Sequence, residues 1–418
     1  MIKIKEIDTG FIKDYGLTFL SFIFSSISNM AIFYILPIMI SKQGSEIFAV
    51  YKKTGSLLLV ALIGGMGVAV PKYVLEYNAK FAKAILVNGL VFSFLLSVTT
   101  FSLFLMLPDF FGNHLIGSVF KIIDVIAIFS IVFGGIINGI IFGYLRGLYN
   151  VKLANLSIVL ISIAQLLSTM VFKNIYYYIY LSSALSLFLS LLILYRSGFS
   201  LKHSFLSFRE HRKSMFTYGI LRVPGDFSLD GLTTFPVIIV TNSLGIQVGG
   251  QMAFAMTIFG LVLSVLSPIN FMILPKVSII IKEGNDWNKV KKIVNQGVLF
   301  VLPMVTLLIV GIMFFANSIA IYIFHSSMPY LLANYIRFVS IAALFYSVFS
   351  LLRGVLDAAY KIPINSYICM FTMFVFVMSY FLTKSFHNGI FASMIFSYAV
   401  LSMLSIFFYK RLFKLRRN

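Results

Sequence analysis

Long apolar segments constrain what this chain can fold into more than any other feature of it. Twelve such segments can be marked, each about 17 residues or longer, which is the length that crosses a bilayer as a helix. Only 11% of the 418 residues are charged, whereas soluble domains carry roughly a quarter, so we predict an all-α polytopic membrane protein. The predicted spans are Leu17–Ile38, Ile47–Val70, Ala84–Leu107, Ile122–Leu145, Leu153–Val171, Ile175–Leu194, Met215–Val240, Met252–Leu274, Val298–Ala316, Ile336–Leu352, Ile364–Leu382 and Ile390–Phe408.

Lysine and arginine residues are concentrated in alternate loops between these spans. The positive-inside rule places those loops, and with them both termini, in the cytoplasm. Topology therefore accounts for most of the net charge of +20, and a nucleic-acid partner is not predicted. The one cysteine, Cys369, and five scattered histidines favour neither a disulfide nor a metal or cofactor site.

The two halves of the chain share short motifs at a nearly constant separation. The pairs are Tyr15-Gly16 with Tyr218-Gly219, Pro71-Lys72 with Pro275-Lys276, and Leu145-Arg146-Gly147 with Leu352-Arg353-Gly354. Each pair falls at spans of the same rank, which indicates an internal repeat of six spans. Both repeats enter the membrane from the same side, so we predict two six-helix bundles related by a pseudo-two-fold axis along the membrane normal. The predicted domains are 1–196, a cytoplasmic linker 197–214, and 215–418.

The stretch 221–231 carries charge into an otherwise apolar span. Arg222, Asp226 and Asp230 are spaced four residues apart, so one helical face carries all three. Pro224 and Gly225 are predicted to break the same helix. Charge on a broken membrane helix is typical of a transport site.

Three motifs resemble those of a known family. They are Gly64-Gly65-Met66-Gly67 with Pro71-Lys72-Tyr73 and Glu76, then Arg222-Val223-Pro224-Gly225-Asp226-Phe227, and Met272-Ile273-Leu274-Pro275-Lys276-Val277-Ser278. In this order they are similar to the second, seventh and eighth helices of Wzx-type O-antigen flippases. These flippases form part of the polysaccharide transporter branch of the multidrug/oligosaccharidyl-lipid/polysaccharide (MOP) exporter superfamily.

The resemblance implies a flippase rather than an enzyme. Its substrate would be an undecaprenyl-pyrophosphate-linked oligosaccharide, moved across the bacterial inner membrane by alternating access. The implied partners are that substrate, membrane lipids and other polysaccharide assembly proteins, and we expect the chain to function as a monomer.

Basic side chains at membrane depth are the candidates for binding the pyrophosphate. Arg222 is the first of them, because arginine is always charged and can contact two oxygens at once. Its alternative role is an intrahelical pair with Asp226. Arg337, Lys52 and Lys53 could extend a basic path, or could snorkel to the interface. Asn29, on a serine-rich face of the first span, could bind sugar hydroxyls or serve helix packing.

The acids and the basic helix ends have two interpretations each. Asp226 and Asp230, taken as the acids within the spans, could bind a coupling proton or sodium ion, or could only counter Arg222. Arg146 and Arg353 could anchor helix ends at lipid headgroups or contribute to an intracellular gate.

Two other functions compete with the flippase. A multidrug extruder of the same superfamily would need an acidic, aromatic cavity, whereas the intramembrane charges here lean basic. A polytopic polysaccharide polymerase or ligase would need a long outer loop for its chemistry, whereas the predicted outer loops are short.

Overall fold

The protein is described by a computed structural model that covers residues 4–117, 119–198, 209–284, 286–360, 363–386 and 388–415. Throughout these ranges the regular elements are helices. In chain order they are α1 (Ile4–Met39), α2 (Lys42–Leu62), α3 (Met66–Met106), α4 (Pro108–Leu115), α5 (Ile122–Gly147), α6 (Val151–Ser168), α7 (Ile175–Arg196), α8 (Arg209–Leu244), α9 (Ile246–Gly284), α10 (Trp287–Phe314), the short α11 (Ala316–Ser318), a π-helical turn (Ile319–Ile323), α12 (Pro329–Ala359), α13 (Ile364–Thr383) and α14 (Gly389–Leu415).

Eleven helices in the described ranges are long and apolar enough to cross a membrane. A twelfth span is obtained if α2 and the beginning of α3, Met66–Glu76, count as one span bent by 42°. The all-α, multi-span fold class is therefore confirmed. The reason is that apolar runs of this length can satisfy their backbone hydrogen bonds in lipid only as helices.

The chain divides into two compact units. The first contains Met1–Asp230 and Val237–Ala253, and the second contains Gly231–Pro236 and Phe254–Asn418. Most of α8 thus groups with the first unit, whereas the sequence analysis assigned residues 209–214 of this helix to the linker and the remainder to the domain 215–418. The predicted domain boundaries stay a prediction. Residues 199–208 of the predicted linker lie outside the described part of the chain.

The first unit is built around α5. Val125, Ile128 and Val132 of this helix have no exposed surface, and Phe129 packs against Phe101 and Phe104 of α3. The lipid-facing helices instead expose large apolar side chains. A helix that is apolar on all sides is stable in this environment because lipid replaces the protein core on its outer face.

The second unit has an aromatic core between α9, α12 and α14. Phe259, Tyr346 and Tyr398 contact one another with ring centroids 5.2 to 5.9 Å apart. Cys369 of α13 is also buried in this unit. Trp287 begins α10 and packs edge-on against Phe413, at 5.7 Å, so it belongs to a spanning helix.

The predicted helix break at Pro224 and Gly225 is wrong. α8 continues as a helix through both residues, and the hydroxyl of Ser228 donates to the carbonyl of Pro224 at 2.6 Å. Pro224 has no N–H to donate to the carbonyl of Ile220, but membrane helices tolerate proline because neighbouring groups can satisfy the freed carbonyl. The break lies instead in the second span, where Gly64 and Gly65 adopt positive φ angles of 60° and 71°. Such angles are readily accessible only to glycine.

Candidate functional site

A cavity of about 210 Å³ lies inside the first unit, between α2, α5, α6 and α7. Its apolar wall includes two aromatic rings, Phe48 and Tyr178, and its small residues include three glycines. The polar lining residues are Lys52, Ser56, Asn138, Gln165, Ser182, Ser183 and Ser186. All carry neutral side chains except Lys52, so the described lining of the cavity contains a cation and no carboxylate.

Lys52 is the charged group of this cavity. Its ammonium donates to Asn29 Oδ1 at 2.6 Å and lies 5.3 Å and 5.7 Å from the ring centroids of Phe33 and Phe48. These contacts bring together two of the predicted site residues, Lys52 and Asn29. Within the described residues Lys52 forms no ion pair, and an ammonium has three donors, so donors remain for a ligand.

The amide and hydroxyl side chains that line the cavity differ in the hydrogen bonds that they form. Gln165 donates to Ser186 at 3.2 Å, so that pair is partly satisfied. The side chains of Asn138 and Ser183 form no hydrogen bond with another described residue, and both residues line the cavity. Polar groups in such a site need partners, which water or a polar ligand would supply.

Lys53 has a different environment from its neighbour Lys52. Lys53 is not among the described residues that line the cavity. Ser56, one turn further along α2, contacts Asp230 Oδ2 at 3.2 Å and also donates to the backbone carbonyl of Lys53 at 2.9 Å. Ser56 thus connects Asp230 of α8 to the edge of the cavity.

Arg222 and Asp226 are close on one face of α8, as their spacing predicts. Arg222 Nε lies 3.9 Å from Asp226 Oδ2, and the two side chains are 18% and 27% exposed. That distance is too long for a hydrogen bond, and Arg222 Nε is buried without a hydrogen-bond partner in the described structure. The structure thus shows the intrahelical pair that the sequence offered as the alternative role for Arg222.

The other basic candidates contact neighbours on their own helices. Arg337, in the second unit, donates to Asn334 at 3.0 Å. Arg353 lies 3.9 Å from Asp357, and Arg146 lies over the ring of Phe142 at 5.6 Å. Their assignment to a basic path or to a gate stays a prediction.

Two buried acids were missed by the sequence analysis. Glu46 of α2 is 1% exposed and accepts a 2.7 Å hydrogen bond from Gln251, which is fully buried on α9. Asp124 of α5 accepts from the hydroxyls of Tyr51 and Tyr176 at 2.6 and 2.7 Å. The expectation that Asp226 and Asp230 are the acids within the spans is therefore wrong.

A signal for both acids was present in the sequence. Asp124 lies inside a predicted span, and Glu46 immediately precedes another. Glu46 and Gln251 are also 205 residues apart, a separation close to that of the repeat motifs. Among the residues that the structure describes, no group of three histidine, cysteine or acidic side chains could hold a metal ion.

Comparison with known proteins identifies the fold. No family model and no curated protein sequence matches the chain. A multidrug resistance MATE family transporter of the MOP superfamily, in an inward-facing conformation, matches with a TM-score of 0.73 and 15% identity over 94% of this chain and 96% of that one. An outward-facing MATE structure matches with a TM-score of 0.68 and 16% identity over 97% of each chain.

A third similar structure is a MOP superfamily transporter from Pyrococcus furiosus, with a TM-score of 0.68 and 15% identity over 97% of each chain. It is described as having a binding pocket of reverse polarity that suggests a different function. Identities this low establish the fold alone. The chain has the fold of MATE transporters of the MOP superfamily.

Proposed function

We propose that the chain is a flippase that moves an undecaprenyl-pyrophosphate-linked oligosaccharide across the bacterial inner membrane by alternating access. The transporter fold supports the general activity, and the resemblance of its motifs to Wzx-type flippases supports the substrate class. The proposal includes cytoplasmic termini and partners among polysaccharide assembly proteins.

The observation that carries the proposal is the cation in a neutral polar cavity. Lys52 is held by Asn29 and two aromatic rings, and the described residues that line the cavity include no carboxylate. A lone charge inside a membrane protein is costly, so its retention requires a compensating role. An anionic head group would supply the missing counter-charge, and its sugar hydroxyls would supply partners for Asn138 and Ser183.

The size of the cavity limits what it can hold. Ligand pockets usually enclose roughly 300–1,000 Å³, and this one has about 210 Å³. It therefore fits one sugar ring or one phosphate group but not a complete oligosaccharide. We assign it as the subsite for one charged part of the head group.

A multidrug extruder is the second candidate function. The similar structures include multidrug resistance transporters, and the acid Asp230 lies at the edge of the cavity through its contact with Ser56. A cationic drug could use that carboxylate, whereas an anionic head group would use Lys52. The two functions therefore predict opposite responses when Lys52 is neutralised.

Replacing Lys52 by methionine tests the proposal. In proteoliposomes, Lys52→Met should lower the translocation rate of the pyrophosphate-linked sugar by about tenfold or more, because a charge-assisted contact is lost. Lys42→Met is the matched control, since Lys42 lies on the same helix but is exposed. An unchanged rate in Lys52→Met, or accelerated export of a cationic dye, would favour the extruder.

Ion coupling and the role of Arg222 are tested separately. If Asp226 or Asp230 binds a coupling ion, translocation should respond to an imposed proton or sodium gradient, and indifference to both would exclude coupling. Arg222→Ala should abolish translocation if Arg222 binds the pyrophosphate. Because Arg222 pairs with Asp226, the insertion and monodispersity of this variant must be compared with wild type first.

A further inference from the structure

We infer that the ends of α10 and α14 that carry Lys292 and Arg411 form a binding surface for anionic phospholipids. Both helices belong to the second unit, and at this end they meet through Trp287 and Phe413, whose ring centroids are 5.7 Å apart. The sequence predicts that this end faces the cytoplasm. The ligand is a lipid whose headgroup carries a net negative charge.

The first half of this surface is the outer face of α10. Val290 and Val294 turn the other face of the helix into a buried core cluster of the second unit. Opposite them, exposed residues recur every three or four positions, at Lys292, Gln296, Leu299, Pro303, Leu307, Val310 and Phe314. This spacing places them in one stripe along the helix. The stripe is apolar from Leu299 onward, and Lys292 lies about 10 Å before that point along the helix axis.

The second half of the surface is the outer face of α14. Tyr409 and Phe413 pack against the same core cluster as α10. The exposed side chains on the rest of the helix include Phe396, Met403, Phe407, Lys410 and Arg411. Arg411 lies one helical turn beyond Phe407, about 6 Å along the axis. On α14, as on α10, an exposed apolar stripe therefore leads to a cation.

The two cations lie at similar depth. Along the helix axes, Lys292 is roughly 8 Å from Trp287 and Arg411 is roughly 3 Å from Phe413, so the two differ by roughly 5 Å in their distance from the ring contact. The headgroup region on each side of the hydrocarbon is roughly 5–8 Å thick, and long basic side chains extend toward it. One lipid can therefore place its acyl chains on an apolar stripe and its phosphate at a cation.

The charges of both cations are available for a ligand. Within the described residues, Lys292 and Arg411 form no ion pair and no side-chain hydrogen bond. The acid at the start of α10, Asp286, is paired with Lys289, whose Nζ lies 3.3 Å from Asp286 Oδ2. Tyr360, near Arg411, is neutral and donates to a backbone carbonyl of α14 at 3.1 Å. A zwitterionic headgroup carries an ammonium that offsets its own phosphate, so an anionic lipid complements these cations better.

The test uses Trp287, the one tryptophan of the chain, which is half-buried at this surface. Full-length protein is reconstituted in vesicles of phosphatidylglycerol and phosphatidylcholine, with bromine on the acyl chains of one lipid or the other. Bromine quenches tryptophan fluorescence on contact, so the two quenching levels give the relative affinity of the two lipids at this surface. Wild type should prefer phosphatidylglycerol. Lys292→Gln with Arg411→Gln should lower that preference by about fivefold for each charge removed, at low ionic strength.

Two further variants separate local charge from other effects. Lys292→Arg with Arg411→Lys keeps both charges and should keep the preference. Lys173→Gln with Lys384→Gln removes two charges at other exposed positions and should also keep it. A wild type that shows no preference, or is quenched by neither lipid, would overturn the inference. It would also be overturned if Lys292→Gln with Arg411→Gln retained the preference, or if the control pair lost it equally. Translocation is not measured, so none of these outcomes bears on the proposed function.

Discussion

The crossing of α8 over the break in the second span allows a quantitative prediction. Gly65 has a φ of 71°, and a Cβ atom added there would lie 2.1 Å from the backbone carbonyl oxygen of Gly219. Gly65→Ala should therefore destabilise the first unit in two independent ways. The obstacle is backbone rather than a flexible side chain, so a local shift of a rotamer cannot relieve it.

The magnitude follows from these two causes. An alanine in a left-handed conformation costs about 1–2 kcal/mol. Overpacking a close contact costs about 1–3 kcal/mol more, so the free energy of unfolding should fall by about 2–5 kcal/mol. A Cβ atom added at Gly219 would lie 2.8 Å from the carbonyl oxygen of Gly64 and 2.3 Å from the flexible end of the Met66 side chain. Gly219 does not have a positive φ. Gly219→Ala should therefore cost only about 1–3 kcal/mol.

The assay is equilibrium unfolding of the purified protein in mixed detergent and SDS micelles. Gly311→Ala is the control, because a Cβ added there in α10 meets nothing within 4 Å. It should be neutral or stabilising by up to about 1 kcal/mol, the difference in helix propensity. If Gly65→Ala unfolds at the same SDS fraction as Gly311→Ala, the close backbone crossing at Gly65 is refuted.

The two buried acids, Glu46 and Asp124, and the exposed N-cap residue of α10, Asp286, provide further tests. Gln251→Leu removes the amide donor to Glu46 and should cost about 1–3 kcal/mol by the same unfolding assay; a neutral result would show that this contact contributes little. Tyr176→Phe removes one of the two hydroxyl donors to Asp124 and should cost about 0.5–1.5 kcal/mol; wild-type stability would contradict this. Backbone hydrogen bonds lower the pKa of Asp286 below its ordinary value, so its stabilising contribution should be present near neutral pH and be lost as the pH falls through that lowered pKa. Replacing Asp286 by alanine should reduce the fall in the free energy of unfolding at acidic pH. An unchanged pH dependence would contradict the role of Asp286 as a helix cap.

The positions of the spans could be predicted because they depend on hydropathy summed over long windows. The break in the second span was missed for a different reason. Gly64 and Gly65 lie in an apolar run, and only their backbone angles show that the helix ends there. Pro224 was expected to break its helix, yet α8 continues through it.

The candidate site was predicted less completely than the fold. The sequence left open whether Lys52 lines a basic path or snorkels to the interface, and the structure places its ammonium against Asn29 inside the first unit. The first candidate, Arg222, is paired with Asp226. Hydropathy places a residue along a helix axis but does not fix its rotation about that axis when the helix is apolar on every side. The direction of a side chain is then decided by packing. Spacing alone did indicate the pairing of Arg222 with Asp226.

The buried position of Cys369 has a practical consequence for spectroscopy. Its thiol is 3% exposed, and reagents that label cysteines require an accessible thiolate. Cysteines introduced at exposed positions should therefore be labelled selectively without removing the native thiol. Leu244, 61% exposed in the first unit, and Tyr330, 79% exposed in the second, are suitable positions for a pair of spin labels. Electron–electron distances between such labels would test the alternating access that the proposed function requires, in a protein that keeps its native core.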